Sequence, residues 1–201
     1  MQKPASTVVP VHELIRHRWS PRAFGEKPVP AGILRALFEA ARWAPSSNNE
    51  QPWAYLVATK DDAENFAKML GVLVEFNASW AKRAPVLALS VAHLKTQRDG
   101  KPNRVALHDV GSATAQLTFE ANSRGVMVHQ MAGFDAEKAR QAFAIPPDWE
   151  PVAAMALGYP GDPESLPEKL RERELAPRTR KPLSEFVMSG GWGHTAPFVA
   201  T

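Results

Sequence analysis

Alternating apolar and polar stretches divide the chain into helices and strands. The clearest amphipathic pattern covers residues 31–43, where apolar side chains recur every three or four positions and predict a helix with one buried face. Small and apolar residues repeat in the same way over 104–124 and predict the longest helix. Residues 85–91 form a nearly continuous apolar run, which is typical of a central strand covered on both faces.

Shorter patterns complete the predicted element order. Further strands are predicted at 53–59, 126–131, 152–157 and 183–188, and further helices at 11–18, 62–70, 72–82 and 135–143. This alternation favours one α/β or α+β domain spanning residues 1–201. We expect the charged stretch 162–176 to be exposed. We expect residues 189–201, which contain three glycines, to form an extended tail that is flexible or embraces a partner.

Composition narrows the classes of function. The 201 residues are 44% hydrophobic, which is enough for one sizeable core, and the lack of cysteine excludes disulfides, thiolate nucleophiles and cysteine metal sites. The formal net charge of +3 suits anionic small ligands as well as nucleic acid. The six histidines form no close ligand motif, so no protein-built metal site is expected. No apolar segment approaches the roughly 20 residues of a membrane span, and we expect a soluble cytoplasmic protein without membrane partners.

A polar turn at residues 44–53 separates the first amphipathic helix from the first strand. Two prolines, Pro45 and Pro52, bracket short side chains that both donate and accept hydrogen bonds: Ser46, Ser47, Asn48, Asn49 and Gln51. On local evidence the favoured interpretation is a capped helix end and a tight turn. The alternative is a ligand-binding segment whose polar groups the prolines hold in place.

Two basic segments are candidates for binding phosphate. Residues 18–24 place a serine between two arginines, and residues 178–181 form a second basic cluster. Arginine forks and serine hydroxyls are suitable donors to phosphate, although a solvated loop is the simpler interpretation of each segment alone. The sequence contains no P-loop, no GxSxG elbow and no obvious acid, base or nucleophile. That combination points to a cofactor that performs the chemistry itself.

Four segments in order resemble the FMN-dependent nitroreductase family, from about Leu14 to Val187. They are residues 18–24 (RWSPRAF), 44–53 (APSSNNEQPW), 125–135 (including QMAGFD), and 157–160 (LGYP) followed by 178–183 (RTRKPL). The resemblance implies an α+β fold with a mixed, mostly antiparallel sheet between helices. It also implies an intertwined homodimer with two FMN molecules at the interface, each touched by both subunits.

The resemblance also implies roles for individual residues. The flavin phosphate and nearby ribityl oxygens would be bound by Arg18, Ser20, Arg22, Arg178 and Arg180. The other subunit's flavin would be reached by Pro45, Ser46, Ser47 and Asn49. Gln130, Met131, Ala132 and Gly133 would lie along the isoalloxazine, with a backbone N–H near Ala132 or Gly133 bonded to flavin N5.

Two features depart from the family pattern, and one further position matches it only loosely. Trp19 belongs to the cofactor-binding segment but stands where many members have a basic residue or histidine, so we expect it to contribute packing or backbone. Asn77 matches a flavin-contacting position only loosely. The segment 94–104 is short where relatives carry insertions on the substrate side, and this leaves the substrate preference open.

The resemblance implies an oxidoreductase with ping-pong kinetics. NAD(P)H first reduces FMN and leaves, and an electron-poor acceptor, such as a nitroaromatic or a quinone, then enters the same space. Alternatives that keep the cofactor are a flavin-binding or flavin-supplying module with little turnover, a reductive dehalogenase and a flavin-degrading enzyme. Nucleic-acid binding through the basic segments is a weaker alternative, because the net charge is only +3 and no nucleic-acid recognition motif is present.

Overall fold

The central sheet confirms the predicted fold class. The computed structural model describes residues 2–199, and within them four strands form one sheet in the order β1-β2-β4-β3. They are β1 Trp53–Thr59, β2 Val86–His93, β3 Met127–Met131 and β4 Trp149–Gly158. All three pairings among these strands are antiparallel.

The apolar run that predicted a central strand becomes β2. Seven of its eight residues are buried, because β1 and β4 flank it in the sheet and helices cover both faces. Its side chains alternate between two cores, as the period of two in a strand requires. Val86 and Ala88 face one core, and Leu87 and Leu89 face the other.

Seven α-helices surround the sheet within the described chain. They are α1 Glu13–His17, α2 Ala31–Arg42, α3 Ala63–Gly71, α4 Glu75–Ala81, α5 Ala106–Ser123, α6 Ala136–Phe143 and α7 Glu168–Leu175. The Asp62 and Asp135 side chains accept from backbone N–H groups and cap α3 and α6. The helices α2 and α5 cover one face of the sheet, while α3, α4 and α6 contribute to the core on the other.

The C-terminal part differs most from the sequence prediction. Residues 183–188 do not form the predicted strand: Leu183–Glu185 is a 3-10 turn that follows Pro182, and Met188 makes only a single bridge to Thr195. The stretch 162–176 is not uniformly exposed, because it contains α7, whose Leu170 and Glu174 side chains are buried.

The predicted tail is folded as far as it is described. Ser189 donates to His194 O at 3.0 Å, Ala196 is fully buried, and Pro197–Val199 is a 3-10 turn. Residues 200–201 lie outside the described residues. Among the helices that are described, none combines the length and apolar character needed to cross a bilayer.

Candidate functional site

A cationic cavity of about 190 Å³ lies where the two basic segments meet. Residues 18–22 follow α1, and residues 176–180 follow α7, so the fold brings together groups that are far apart in the sequence. Six of the predicted cofactor-binding residues line this cavity: Arg18, Trp19, Ser20, Arg22, Arg178 and Arg180. Lys3, Arg173 and Glu174 line it as well.

Residues 18–24 alternate between the cavity and the protein interior. Trp19, Pro21, Ala23 and Phe24 are buried, whereas Arg18, Ser20 and Arg22 remain at least partly exposed. The interior positions anchor the segment and leave the polar side chains available at the cavity.

Three contacts fix the backbone of this segment. His129 Nδ1, on β3, lies 2.8 Å from Pro21 O, and since a carbonyl oxygen only accepts, this nitrogen carries the proton. The Glu174 carboxylate accepts from the backbone N–H groups of Arg22 and Ala23. Phe24 forms an antiparallel bridge with Pro160, which joins the first and fourth segments of the resemblance.

The close approach at that bridge requires glycine at position 161. Gly161 N donates to Ala23 O at 2.8 Å, and a Cβ added to Gly161 would lie 2.6 Å from the Phe24 carbonyl carbon. Any larger residue would therefore push residues 23–25 away from residues 159–161.

The crowded cations make this cavity favourable for an anion. Burial, followed by the positive charges of Arg178 and Arg180, lowers the pKa of Arg18 from its ordinary value. Burial is also the main cause that lowers the pKa of Arg22 and of Arg178. An anion between these groups would relieve their mutual repulsion.

The cavity arginines differ in how strongly the protein already uses them. Arg178 donates to Lys3 O at 2.7 Å and to Arg16 O at 2.9 Å, so it also ties the N-terminal segment to the rest of the fold. Arg180 donates only to the carbonyl of its neighbour Thr179 within the described chain. Arg180 is exposed, and most of its guanidinium donors are free for a ligand.

Trp19 supplies packing at the base of the cavity. Its side chain is 5% exposed, and the Lys3 ammonium lies 5.2 Å from its ring centroid. The indole N–H has no hydrogen-bond partner among residues 2–199. This environment agrees with the expectation that Trp19 contributes bulk instead of charge.

The sequence did not predict that Lys3 and Glu174 would lie at this cavity. The Lys3 ammonium donates to the carbonyls of Glu174 and Ala176, but nothing in the sequence around Lys3 distinguishes it from a surface lysine. A partial signal for Glu174 was present, because Leu170 and Glu174 lie four residues apart on α7, although Leu166, which continues the spacing, precedes the helix. Both leucines are buried.

The polar turn lies outside the cationic cavity and has a different construction. Pro45, Ser47, Asn48 and Asn49 are exposed and Ser46 is partly buried. Asn48, Asn49 and Gln51 all have positive φ, at 50°, 57° and 47°. Few residues other than glycine adopt this conformation, although asparagine does so more readily than most.

Internal hydrogen bonds and one buried acid hold this turn. Ser46 Oγ accepts from Gln51 N at 3.0 Å, and Asp109 on α5 accepts from Ser47 N at 3.0 Å. Asp109 is 4% exposed, and its other oxygen lies 3.1 Å from His108 Nδ1. The turn is therefore more than a helix cap, since a buried carboxylate on another element fixes its position.

Residues 130–133 continue from the β3 edge beside the anchored segment. Gln130 and Ala132 are exposed, Met131 is buried and Gly133 is partly buried. Neither the Ala132 N–H nor the Gly133 N–H donates to a protein acceptor in the described part of the chain. Both groups are available to an external acceptor.

Gly133 packs closely against the Asn77 side chain of α4. Its carbonyl accepts from the Asn77 side chain at 2.9 Å, and an added Cβ would lie 2.5 Å from the same amide nitrogen. The Asn77 side chain thus positions residue 133 by donating to its backbone carbonyl. Within residues 2–199, no group of three His, Asp or Glu side chains is arranged to hold a metal ion.

A sequence model described as the nitroreductase family matches this chain over residues 15–73 and 67–159. A 15.4 kDa Mycolicibacterium smegmatis protein of uncharacterised function is 40% identical over 131 residues, which are 65% of this chain and 86% of that protein. A Stenotrophomonas maltophilia protein, provisionally named an NADH dehydrogenase/NAD(P)H nitroreductase, is 28% identical over 77% of this chain and 86% of its own length.

The solved structures include a close match to the whole fold. The crystal structure of an oxidoreductase containing FMN superimposes with a TM-score of 0.90 at 34% identity and covers 94% of this chain and 96% of that one. The matched segments include the anchored basic segment, the polar turn and the β3 edge. This chain therefore belongs to the nitroreductase family.

Proposed function

We propose that the protein is an FMN-dependent oxidoreductase that uses NAD(P)H to reduce electron-poor acceptors such as nitroaromatics and quinones. The observation that carries this proposal is the cationic cavity formed by the two basic segments. Family membership and an FMN-containing relative at 34% identity support the choice of cofactor. The name of the Stenotrophomonas relative supports a nicotinamide as the electron donor.

The donors around the cavity fit the phosphate end of FMN. Arg18, Arg22, Arg178 and Arg180 supply guanidinium groups and Ser20 supplies a hydroxyl. Guanidinium–phosphate hydrogen bonds are charge-assisted and roughly twice as strong as neutral ones. We assign these five residues to the phosphate and the neighbouring ribityl oxygens, with Trp19 as the packed base of the site.

The cavity is too small to enclose the whole cofactor. Pockets that bury ligands of this size usually occupy about 300–1,000 Å³, and this cavity occupies about 190 Å³. The rest of the flavin would lie along residues 130–133, where we assign Gln130, Met131, Ala132 and Gly133 to the ring system. The unpartnered N–H of Ala132 or Gly133 would donate to flavin N5.

A second subunit would complete the site. Large apolar side chains remain exposed in the single chain, including Trp43 at 72% and Trp192 at 93%, and such surfaces are typical of association interfaces. We propose a homodimer in which Pro45, Ser46, Ser47 and Asn49 of one subunit reach the flavin of its partner. This assignment gives the exposed, rigidly held polar turn a ligand.

Bound FMN supplies the hydride chemistry. The protein residues bind and orient the cofactor, and the cationic cluster would favour the more negative reduced flavin. No side chain has to act as a nucleophile. Parallel lines in double-reciprocal initial-rate plots would support a ping-pong mechanism, in which the donor and the acceptor occupy the same space in turn.

The test is anaerobic titration of the purified protein with NADPH and with NADH, followed by absorbance. We expect a yellow protein whose flavin band is bleached by about one equivalent of nicotinamide and restored by a quinone or nitroaromatic. A protein that takes up no FMN on reconstitution would contradict the proposal. Tight FMN binding with very slow reduction by both nicotinamides would instead favour a flavin-supplying module.

A further inference from the structure

Glu174 places a negative charge in a cavity proposed to bind an anion, although the neighbouring cations Lys3 and Arg22 attract it. It lines a cavity whose other charged residues are Lys3, Arg18, Arg22, Arg173, Arg178 and Arg180. Its side chain is only 1% exposed, and a buried carboxylate is unfavourable unless it is paired and hydrogen-bonded. A carboxylate beside a bound phosphate would also repel it. Glu174 therefore requires another explanation.

The carboxylate binds backbone instead of a side-chain cation. Oε1 accepts from Arg22 N at 2.9 Å and from Ala23 N at 3.1 Å, and Oε2 accepts from Arg22 N at 3.0 Å. Ala23 is 1% exposed, so its N–H would be left buried and unsatisfied without this acceptor. The two N–H groups belong to the segment that presents Arg18, Ser20 and Arg22 to the cavity.

Glu174 also joins three parts of the chain at the cavity. It lies in the last turn of α7, and its carbonyl accepts from the Lys3 ammonium. Immediately after it, residues 176–180 supply the other two arginines. Fixing Glu174 to residues 22–23 therefore sets the distance between the two arginine clusters.

We propose that Glu174 is a positioning residue for the anion site. It holds the backbone of residues 18–23 against the end of α7, so that guanidinium groups from both clusters converge on one phosphate. This role rests on the proposed function, because the phosphate is taken to be that of FMN. The positioning role depends on the length of the Glu174 side chain and on its acceptor oxygens. It does not depend on the negative charge.

Two conservative substitutions separate reach from charge. E174D keeps the charge but shortens the side chain by one methylene, so the carboxylate no longer reaches both N–H groups. E174Q removes the charge and replaces one acceptor by an NH2 group, but an amide oxygen at the position of Oε1 can still accept from both N–H groups. If only charge mattered, E174D would be neutral and E174Q would bind FMN more tightly. Positioning predicts that E174D is the damaging change.

The experiment measures dissociation constants for FMN and for riboflavin by flavin fluorescence, with folding checked by circular dichroism. We expect E174D to weaken FMN binding about tenfold while riboflavin binding changes less than about threefold, since riboflavin lacks the phosphate. E174Q should remain within about threefold of the wild type for both flavins. The control is E172A, an exposed acid on the same helix, which should leave both constants unchanged.

The outcomes distinguish this role from the proposed function. A wild-type preference for FMN that E174D retains would overturn the positioning role alone, as would equal losses for FMN and riboflavin. A wild-type protein that binds neither flavin, or binds both equally, would overturn the assignment of the cavity to the FMN phosphate and this role with it.

Discussion

The basic segment 18–24 and the polar turn 46–51 are both expected at the cofactor, yet the protein holds them in opposite ways. The basic segment alternates buried and accessible residues and is anchored by His129 and Glu174. The polar turn exposes residues 47–49 and places three non-glycine residues at positive φ. The basic segment concentrates positive charge on a relaxed backbone, whereas the polar turn has an unusual backbone and no cationic side chain.

This difference indicates two kinds of ligand contact. The crowded arginines would bind a phosphate through charge, within a cavity that one chain forms by itself. The turn has no such cavity, and Asp109 fixes it from behind through Ser47 N. Its outward polar groups suit a surface supplied by another molecule. Backbone strain of this kind often accompanies functional sites, at about 1–3 kcal/mol per residue.

The largest predicted effect comes from removing charge at the cavity. The double variant R18A/R180A should weaken FMN binding about 100-fold or more, because each lost charge-assisted hydrogen bond is worth about 1.5–3 kcal/mol. Riboflavin binding and the melting temperature should change little. Fluorescence titration checks this, with R35A/R83A as a control of equal charge at two exposed positions outside the cavity. Equal losses of affinity for both flavins would show that the cavity does not bind the phosphate.

The second prediction tests the His129 anchor through its pH dependence. Burial lowers the pKa of His129 from about 6.5 to about 4. The unfolded chain therefore binds a proton between these values while the folded protein does not, so this contribution to stability is complete above pH 6.5 and disappears as the pH falls towards 4. Its size is up to about 3 kcal/mol.

Urea denaturation of the wild type and of H129N at several pH values from 4 to 7.5 measures this contribution. The wild type should lose stability relative to H129N as the pH falls through this window, because asparagine does not titrate. Parallel curves for the two proteins would mean that His129 is not held neutral by the fold.

The third prediction separates two neighbouring arginines. Arg178 donates to the carbonyls of Lys3 and Arg16, whereas Arg180 bonds only its neighbour in the described chain. R178A should therefore lower both FMN affinity and the free energy of unfolding, the latter by about 1–3 kcal/mol. R180A should lower affinity alone. Thermal denaturation without flavin distinguishes them, and identical melting temperatures would contradict the structural role of Arg178.

The smallest effects are expected in the polar turn, where the choice of variant matters. S46A removes the acceptor for Gln51 N, and N49A places alanine at a positive φ, so both should destabilise the turn itself by about 1 kcal/mol. S47A is the cleaner test, because the backbone N–H of residue 47 still donates to Asp109 in this variant. We expect a two- to tenfold loss of FMN affinity with an unchanged melting temperature.

Local patterns in the sequence were sufficient for most helices and strands. The periodicity of residues 31–43 and 104–124 predicted α2 and α5 to within two residues at either end. The apolar run at 85–91 predicted the central strand β2. In these elements the residues that set the secondary structure also form the core, so local pattern and tertiary packing agree.

Contacts between distant residues could not be predicted in this way. Periodicity did not indicate that Glu174 would accept from Arg22 N, or that Asp109 would accept from Ser47 N, because both bonds are donated by a backbone N–H group that every residue except proline possesses. The positive φ angles of Asn48 and Asn49 could not be predicted either, because the sequence there shows only a composition typical of turns. The strand predicted at 183–188 failed because β propensity alone does not supply a neighbouring strand.

A crystal structure of the protein reconstituted with FMN would test directly whether the cationic cavity binds the flavin phosphate. We expect the phosphate in the cationic cavity, within hydrogen-bond distance of the Arg18 and Arg180 guanidinium groups, and the Glu174 carboxylate still bonded to the backbone of Arg22 and Ala23. The ring system should lie against residues 130–133, beside a polar turn from a second subunit. A flavin bound elsewhere, with the cavity holding only solvent, would contradict the assignment of the cavity to the FMN phosphate.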